Sequence, residues 1–494
     1  MTLSKSLYTR AIQCPKSLWL KKYKPEVLTP PDASAQAVFD TGNAVGALAC
    51  ELFPDGREVP FSRDYDAMMA TTQAWVNEGI RYIYEATFAY EGILVMVDVL
   101  EVGEDGVSIY EVKSSTSVKE IYLHDVSIQY YVLKNLGFSI KSAYVVHIDS
   151  NYVRGEELEL DKLFAVVDVT KEIEELQKTI SKRLQIFEAY LADKENEPDI
   201  DIGSHCKKPY ECDAKAYCWQ VQRGIPEYSI FNIFNLGSKK QIELYERGIV
   251  DIASIPDDFE MTAKQNQAAS NYKSGKTHID REAIQTFVST LSYPIYYLDF
   301  ETFQQAIPKW RGISPFMQIP FQYSLHIEHA DGKLEHREFL ALEGSDPRER
   351  LAQKLCEDIP TDVTVLTYNM SFEKGVLKKL AEQYPKYHEH LMAIHDNIKD
   401  LMTPFQKKQY ITPDMNGSYS IKYVLPALIP ELADAYQKLE GVQNGGEAMN
   451  AFANLDQLQE GEKQKMRKAL LEYCKLDTLA MVKILEKLRE VTCD

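Results

Sequence analysis

Three side chains in the first half of the sequence could bind a divalent cation and activate water. Glu111 and Lys113 are two residues apart in the segment VSIYEVKSS, so both would leave the same face of a β-strand. Asp98 lies in the preceding apolar segment, and a hairpin turn at residues 104–106 would place it nearly opposite Glu111. Two facing carboxylates repel each other unless a cation lies between them, and oxygen ligands suit Mg²⁺ or Mn²⁺. Lys113 can then position the attacking water and stabilise charge in the transition state.

A second set of candidate metal ligands is spread over the second half of the sequence. Asp299 and Glu301 lie on one face of the segment YYLDFET, which is typical of a buried strand. Glu373 falls in the first turn of a predicted helix that follows the strand VTVLTYN. Tyr473 and Asp477 are four residues apart, so they share one face of the last predicted helix. Each fragment alone is a common amphipathic pattern, but all three in this order arise far less often by chance.

Cysteine spacing indicates a third site. Cys206, Cys212 and Cys218 recur at intervals of six in one loop, and Cys14 precedes a proline near the amino terminus. In a reducing compartment, thiols in this arrangement fit metal or cluster ligation better than disulfides. Zinc sites more often contain C-x₂-C pairs, yet spacing alone leaves zinc and an iron–sulfur cluster as equal alternatives. The remaining cysteines are predicted to be core or surface thiols: Cys50, Cys356, Cys474 and Cys493.

Length and composition restrict the class of protein. A chain of 494 residues is expected to form two or three domains. The formal net charge of −19 argues against a protein that coats DNA generally, because nonspecific binding depends on Lys and Arg. It is compatible with a nuclease, whose metal ligands are acidic. The sequence contains no apolar run of ~20 residues and no signal-peptide core, so we expect a cytoplasmic protein without a membrane segment.

The hydrophobic pattern predicts a mixed αβ fold. In the first half, three strands (YIYEATFAY, ILVMVDVLEV and VSIYEVKSS) precede a helix at about 122–136, the strand SAYVVHI and a helix at 169–193. Short polar helices are expected between 228 and 290. A strand then opens the second half near residue 293, followed by a hairpin, further helices and a final helix at 464–489.

The first half resembles the PD-(D/E)XK nucleases, specifically their Cas4 and RecB-like branch. In that branch an aspartate, an E-x-K strand and a glutamine-bearing helix form the active site, and Asp98, Glu111, Lys113 and Gln129 match these positions. The resemblance implies that these four residues are catalytic and that the two carboxylates bind the metal. Family members usually carry a His or Glu on an early helix, where this sequence has a glycine and offers Glu51 as a substitute.

The same resemblance implies ligands for an iron–sulfur cluster. In Cas4-like proteins, one amino-terminal cysteine and three that follow the nuclease core hold a [4Fe–4S] cluster. Cys14, Cys206, Cys212 and Cys218 match this pattern, although the family more often has a C-x₂-C pair among the last three. The cluster would join the two ends of the domain, with redox sensing as an additional role.

The second half resembles the DEDD superfamily of exonucleases, which have an RNase H-like fold. The resemblance implies that Asp299, Glu301 and Asp477 are ligands of two metal ions about 4 Å apart and that Tyr473 orients the nucleophilic water.

The second motif of that superfamily departs from the usual pattern here. Glu373 stands where aspartate is usual, and one extra methylene group can still reach a metal. Asp400, in KDLMTPF, is a reserve ligand. The whole second half also looks like the uncharacterised DUF2779 family, which is often found behind Cas4-like domains.

Together these patterns predict an α/β (α+β) protein in three parts. Residues 1–225 would form a PD-(D/E)XK restriction-endonuclease-like domain with the cluster, residues 226–290 a helical connector, and residues 291–494 an RNase H-like exonuclease domain. We expect a metal-dependent deoxyribonuclease that acts on DNA ends or single strands, with a role in recombination, repair or defence and with protein partners there. Three alternatives stay open: a single active centre, a nucleic-acid-binding adaptor subunit of a larger complex, and an RNA substrate.

Overall fold

The alternating apolar residues between 82 and 113 form the centre of a seven-stranded sheet in the computed structural model, which describes residues 3–493. The strands of this sheet are β1 (Leu3–Ser4), β2 (Arg57–Glu58), β3 (Tyr82–Tyr90), β4 (Ile93–Gly103), β5 (Gly106–Lys113), β6 (Ile140–Ile148) and β7 (Phe164–Asp168). Their order is β2-β3-β4-β5-β6-β7, and β1 adds to β4 in parallel. The hairpins β3–β4 and β4–β5 are antiparallel, whereas β5 and β6 are parallel and are joined through a helix.

Helices cover this sheet because their apolar stripes need a partner surface. They are α1 (Lys5–Gln13), α2 (Pro15–Tyr23), α3 (Ala33–Cys50), α4 (Tyr65–Asn77), α5 (Glu120–Asn135), α6 (Leu160–Leu163) and α7 (Thr170–Ala192). Buried residues of α1, α4, α5 and α7 share one core with the sheet. A separate core forms around Val45 and Ala49 of α3, which pack with Val99 and Val146.

The chain divides into two compact units. The first runs to Gly224 and includes the segment Gln305–Met317, and the second comprises Ile225–Gln304 and the residues from Gln318 onward. The predicted connector therefore falls within the second unit. It contains a small core of its own, built around Ile230, Leu244 and Ile252.

A five-stranded mixed sheet forms the centre of the second unit. The strands of this unit are β8 (His278–Ile279), β9 (Ile295–Phe303), β10 (Ile319–Glu328), β11 (Leu334–Leu340), β12 (Thr364–Thr367), β13 (Ile398–Asp400) and β14 (Tyr410–Ile411). The order in the large sheet is β11-β10-β9-β12-β13, in which β10 is antiparallel to its neighbours, whereas β9, β12 and β13 run parallel. The strands β8 and β14 form a separate antiparallel pair.

Both faces of this sheet are covered by helices. The helices of the unit are α8 (Ser238–Glu246), α9 (Ala263–Ser274), α10 (Arg281–Val288), α11 (Arg348–Asp358), α12 (Met370–Gln383), α13 (His388–Asp396), α14 (Thr403–Gln406), α15 (Ile421–Leu428), α16 (Gly445–Ala453) and α17 (Glu460–Cys493). One core contains residues of α11, α12 and α13, and the other contains residues of α10, α15 and α17.

The predicted mixed αβ architecture is confirmed. The helix expected at 122–136 spans Glu120–Asn135, and the helix expected at 169–193 spans Thr170–Ala192. The last helix is longer than predicted, because its charged flanks at both ends also adopt helical structure. Among the described residues, no helix has the length and apolar character needed to span a membrane.

An aromatic stack should contribute strongly to the stability of the second unit. The Phe452 ring on α16 lies parallel to Phe321 at 4.1 Å between centroids, and it lies 5.3 Å from Phe303. We expect Phe452→Ala to lower the free energy of unfolding by about 3–5 kcal/mol, because it leaves a cavity beside two buried rings. Urea denaturation followed by far-UV circular dichroism measures this loss.

An exposed leucine serves as the control for this experiment. Leu342→Ala, at a site that is 70% exposed, should change stability by less than about 0.5 kcal/mol. A loss below about 1 kcal/mol for Phe452→Ala would contradict the assigned role of the stack.

Candidate active sites

Three carboxylates lie side by side across three adjacent strands of the first sheet. Residues 84 and 86 pair with residues 99 and 97, which puts Glu85 opposite Asp98. The β4–β5 pairing ends with Val99 opposite Tyr110, and its register extended by one residue puts Asp98 opposite Glu111. At this point the Asp98 side chain accepts a hydrogen bond from the backbone N–H of Val112 at 2.8 Å. The predicted opposition of Asp98 and Glu111 is thus what the strand register gives.

Two lysines lie among these carboxylates. The Lys113 ammonium is 2.6 Å from Glu111 Oε1 and 2.6 Å from Asp125 Oδ2. The Lys5 ammonium is 3.0 Å and 3.1 Å from the two Glu111 oxygens and 3.1 Å from Asp98 Oδ1. The first centre therefore combines side chains from the sheet with a lysine from α1.

Helix α5 completes the first centre. Gln129 Nε2 donates a hydrogen bond to Glu111 Oε2 at 2.7 Å, so the structure brings the predicted glutamine to the carboxylate. Asp125, one turn earlier, is the partner of Lys113. His124 on the same helix contacts Arg183 instead, with 2.9 Å between Nδ1 and the guanidinium.

The charges of the first centre are only partly balanced. Burial and then the neighbouring Asp98 raise the pKa of Glu85 to about 7. Burial and then Glu111 raise the pKa of Asp125 to about 6. Burial alone would also raise the pKa of Glu111, but Lys113 and Lys5 outweigh it and lower that pKa below its ordinary value. Four carboxylates thus share two ammonium groups.

Glu85 and Asp125 were not among the predicted residues, although both had a signal in the sequence. The midpoint rule that pairs Asp98 with Glu111 also pairs Glu85 with Asp98 across the turn at residues 91–92. Asp125 is four residues before Gln129, so the two share one helix face. Lys5 had no such signal.

Helix α3 stands where the early-helix ligand was expected. Glu51 follows its last residue and is exposed. Cys50 is half-buried, and burial together with the charge of Asp98 raises the pKa of its thiol to about 11.

The second centre gathers four carboxylates from three elements, three of them buried and that of Asp299 partly buried. Asp299 and Glu301 lie on the central strand β9, Glu373 on the first turn of α12 and Asp477 on α17. Ligand atoms of Asp299, Glu301 and Cys474 all lie within 4.8 Å of one another. Cys474 was predicted to be a core or surface thiol, and it is indeed buried, but its sulfur lies 3.8 Å from Asp299 Oδ2.

Two tyrosines border this centre. The Tyr436 hydroxyl donates a hydrogen bond to Asp477 Oδ1 at 2.6 Å. Tyr473 lies near Glu301, since a Cβ atom added at Gly445 would meet both Glu301 Oε2 at 3.7 Å and the Tyr473 hydroxyl at 4.0 Å. A glycine at this position leaves the space beside both groups open.

The second centre lacks the direct lysine contacts of the first, and Lys422 acts on Glu301 and Asp477 only from a greater distance. In the part of the chain that the structure describes, no Lys or Arg forms an ion pair with Asp299, Glu301, Glu373 or Asp477. Burial and mutual repulsion raise the pKa values of the first three well above their ordinary range. Burial also raises the pKa of Asp477, to about 6. A set of carboxylates in such surroundings is stabilised either by protonation or by bound cations.

Asp400, which was predicted as a reserve ligand of the second centre, lies at the start of α12. Its carboxylate accepts hydrogen bonds from the backbone N–H groups of Asn369, Met370 and Met402 at 3.0–3.2 Å. It therefore caps the start of α12, the helix that carries Glu373. The structure assigns it a positioning role.

The four cysteines predicted to bind a metal or cluster line one pocket. Cys14, which lies between α1 and α2, faces Cys206, Cys212 and Cys218 around this pocket. Among the described residues, no three of these thiols have sulfur atoms within 4.8 Å of one another. The structure nevertheless brings all four predicted cysteines to one pocket.

Comparison with known proteins supports one part of the expected resemblance. Residues 296–420 match the family model described as Domain of unknown function (DUF2779). The matched range contains Asp299, Glu301, Glu373 and Asp400, whereas Asp477 lies outside it.

Three curated mycoplasma-group proteins are similar to this chain, and all three carry names that call them uncharacterized. UU173 of Ureaplasma parvum is 26% identical over 234 residues, which cover 44% of this chain and 33% of that protein. MG366 of Mycoplasma genitalium is 28% identical over 208 residues, or 38% of this chain and 31% of that protein. The MG366 homolog of Mycoplasma pneumoniae is 29% identical over 212 residues, with the same coverage. The chain thus spans about a third of the length of these relatives.

The buried carboxylates predict an unusual pH dependence of stability without divalent ions. A raised pKa means that the folded state holds more protons than the unfolded state, so stability falls as pH rises from about 4 through the folded pKa values. Glu373 Oε2 is buried with no hydrogen-bond partner in the described structure. In EDTA, we expect Glu373→Gln to raise the free energy of unfolding by about 1–3 kcal/mol at pH 8 and by less at pH 5.

Urea denaturation followed by circular dichroism at the two pH values tests this expectation. Glu382→Gln, an exposed substitution on the same helix, should have no effect at either pH. If Glu373→Gln lowers the free energy of unfolding equally at pH 5 and pH 8, ionisation of the Glu373 carboxyl does not destabilise the folded state, and the expectation is wrong.

Proposed function

We propose that this protein is a metal-dependent nuclease that hydrolyses phosphodiester bonds at DNA ends or in single strands, with one carboxylate centre in each unit. The observation that carries the proposal is the second centre. Four carboxylates, three of them buried, converge there without an ion-paired Lys or Arg among the described residues. Carboxylate oxygens in this density favour divalent cations such as Mg²⁺ or Mn²⁺, which also bind phosphate esters.

The positions of these residues support an RNase H-like exonuclease assignment for the second unit. Asp299 and Glu301 lie on the central strand, Glu373 on a helix that directly follows β12, and Asp477 on the last helix. This is the strand, strand–helix and helix order of the three DEDD motifs. Glu373 replaces the usual aspartate, and its buried carboxyl faces the same group of acids.

The first unit supports a PD-(D/E)XK assignment on similar grounds. Asp98 and Glu111 lie on adjacent strands, Lys113 contacts Glu111, and Gln129 reaches the same carboxylate from a helix that packs on the sheet. All four residues of the proposed motif therefore belong to one connected group.

The side chains around each centre suit hydrolysis of a phosphodiester. Bound divalent cations would supply Lewis-acid stabilisation of phosphate charge and a more acidic water. Lys113 adds a fixed positive charge beside Glu111, and Gln129 holds that carboxylate in one orientation. In the second centre Tyr436 orients Asp477, and the Tyr473 hydroxyl near Glu301 can position a water molecule.

We further propose that Cys14, Cys206, Cys212 and Cys218 hold a [4Fe–4S] cluster. The pocket that they line connects the amino terminus with a loop that follows α7. A group bound there would stabilise the first unit by closing a long loop of the chain.

The nuclease proposal predicts separate losses of activity from the two centres. End-labelled single-stranded and duplex DNA is incubated with Mn²⁺ and wild type, Lys113→Ala or Asp299→Asn. We expect each variant to lose one set of products, with a rate reduction of about 100-fold or more, because each removes charge from one centre. Asp331→Asn, in an exposed turn, serves as the control that should retain both activities.

The outcomes separate the alternatives. If one variant retains all wild-type products, its centre does not contribute to cleavage and the protein has a single active centre. Cleavage of RNA but not DNA would change the substrate class. If anaerobically purified wild type cleaves neither nucleic acid, the nuclease proposal is wrong and an adaptor role takes its place.

The cluster proposal predicts bound iron. Protein purified without oxygen should contain about four iron and four sulfide ions per chain, and Cys212→Ser should lose most of both. Cys356→Ser, which lies outside the pocket, should retain them. Elemental analysis that finds about one zinc ion per chain in place of iron would contradict the cluster.

A further inference from the structure

Lys5 occupies the space between the two principal carboxylates of the first centre. Its ammonium lies 3.0–3.1 Å from both oxygens of Glu111 and 3.1 Å from Asp98 Oδ1. Lys113 contacts Glu111 as well, but its second partner is Asp125. Lys5 is therefore the cation that bridges Asp98 to Glu111.

Helix α1 holds Lys5 in this position from both ends. At the amino-terminal end, β1 pairs with β4 at residues 93 and 94, and Ser4 caps the helix by accepting a hydrogen bond from the N–H of Leu7. At the other end, the Arg10 guanidinium makes two hydrogen bonds to the Asp213 carboxylate at 2.7 and 2.8 Å. Gln13 donates to two backbone carbonyls of the cysteine loop, at residues 205 and 210.

A divalent cation bound by Asp98 and Glu111 would need the same space. Two cations cannot share it, because like charges about 3–4 Å apart repel strongly in a partly buried site. We propose that Lys5 is a resident counter-cation of the first centre and that a divalent ion binds there only by displacing its ammonium. This inference rests on the proposed function, since it presupposes that Asp98 and Glu111 are metal ligands.

The second centre provides an internal contrast. Its four carboxylates form no ion pair with Lys or Arg within the described chain, so a metal ion displaces no ammonium there. The two centres should consequently differ in affinity for the same ion, and the second should fill at a lower concentration. Lys5 thereby sets the metal concentration at which the first centre is loaded.

Mn²⁺ binding tests the proposal without reference to cleavage. The full-length protein carries Asp299→Asn to weaken the second centre, and free Mn²⁺ is followed by electron paramagnetic resonance during titration. In this background Lys5→Met removes the charge at nearly constant length, and Lys5→Arg retains it. Lys21→Met, an exposed lysine of α2, is the matched control, and Glu111→Gln identifies binding at the first centre.

We expect Lys5→Met to bind Mn²⁺ at the first centre at least tenfold more tightly than the parent, whereas Lys5→Arg and Lys21→Met match the parent. The thermal midpoint of Lys5→Met should also rise more on adding Mn²⁺, which keeps the test valid if the variant is unstable in EDTA. Unchanged or weaker binding by a folded Lys5→Met overturns this inference alone. If no variant shows Mn²⁺ binding that Glu111→Gln removes, the proposed metal centre fails together with it.

Discussion

Buried carboxylates that cannot all be ionised at once are the constraint on which both units depend. Each sheet carries acidic residues on adjacent strands or on its central strand, where burial penalises the charged form. The surrounding structure has to hold these groups together against their mutual repulsion. In the first unit this is achieved with ammonium groups, and in the second with hydroxyl and thiol neighbours that leave most of the charge uncompensated.

The strands and helices that carry the acidic residues pack into large hydrophobic cores, and this packing supplies the rigidity that holds the acidic residues together. In the second unit, β9 is buried on both faces and packs with α17, which carries Tyr473, Cys474 and Asp477 along one side. In the first unit, the β4–β5 hairpin and α5 play the same part. A capping contact adds to this rigidity, because Asp400 accepts backbone hydrogen bonds at the start of α12.

Residues on regular elements could be predicted from the sequence, because strand and helix periodicity determine which side chains meet. Asp98 and Glu111 face each other through hairpin register, and Gln129 reaches them through helix phase. Lys5 is separated from Asp98 by 93 positions, and no local pattern links them. Tyr436 lies in an irregular segment between α15 and α16, so only tertiary packing brings it to Asp477. Long-range contacts of this kind depend on the whole fold, which explains why they were missed.

Helix α1 has one end in a carboxylate centre and the other at a thiol pocket. Lys5 begins the helix and Cys14 directly follows it, and a helix fixes both their separation, at 1.5 Å per residue, and their relative rotation, at 100° per residue. Inserting or deleting one residue between them would turn the ammonium away from the acids or move the thiol out of its pocket. The spacing K-x₈-C therefore fixes the distance between the Lys5 ammonium at the first centre and the Cys14 thiol at the pocket. Chains that keep both sites should therefore show no change in the number of residues between them.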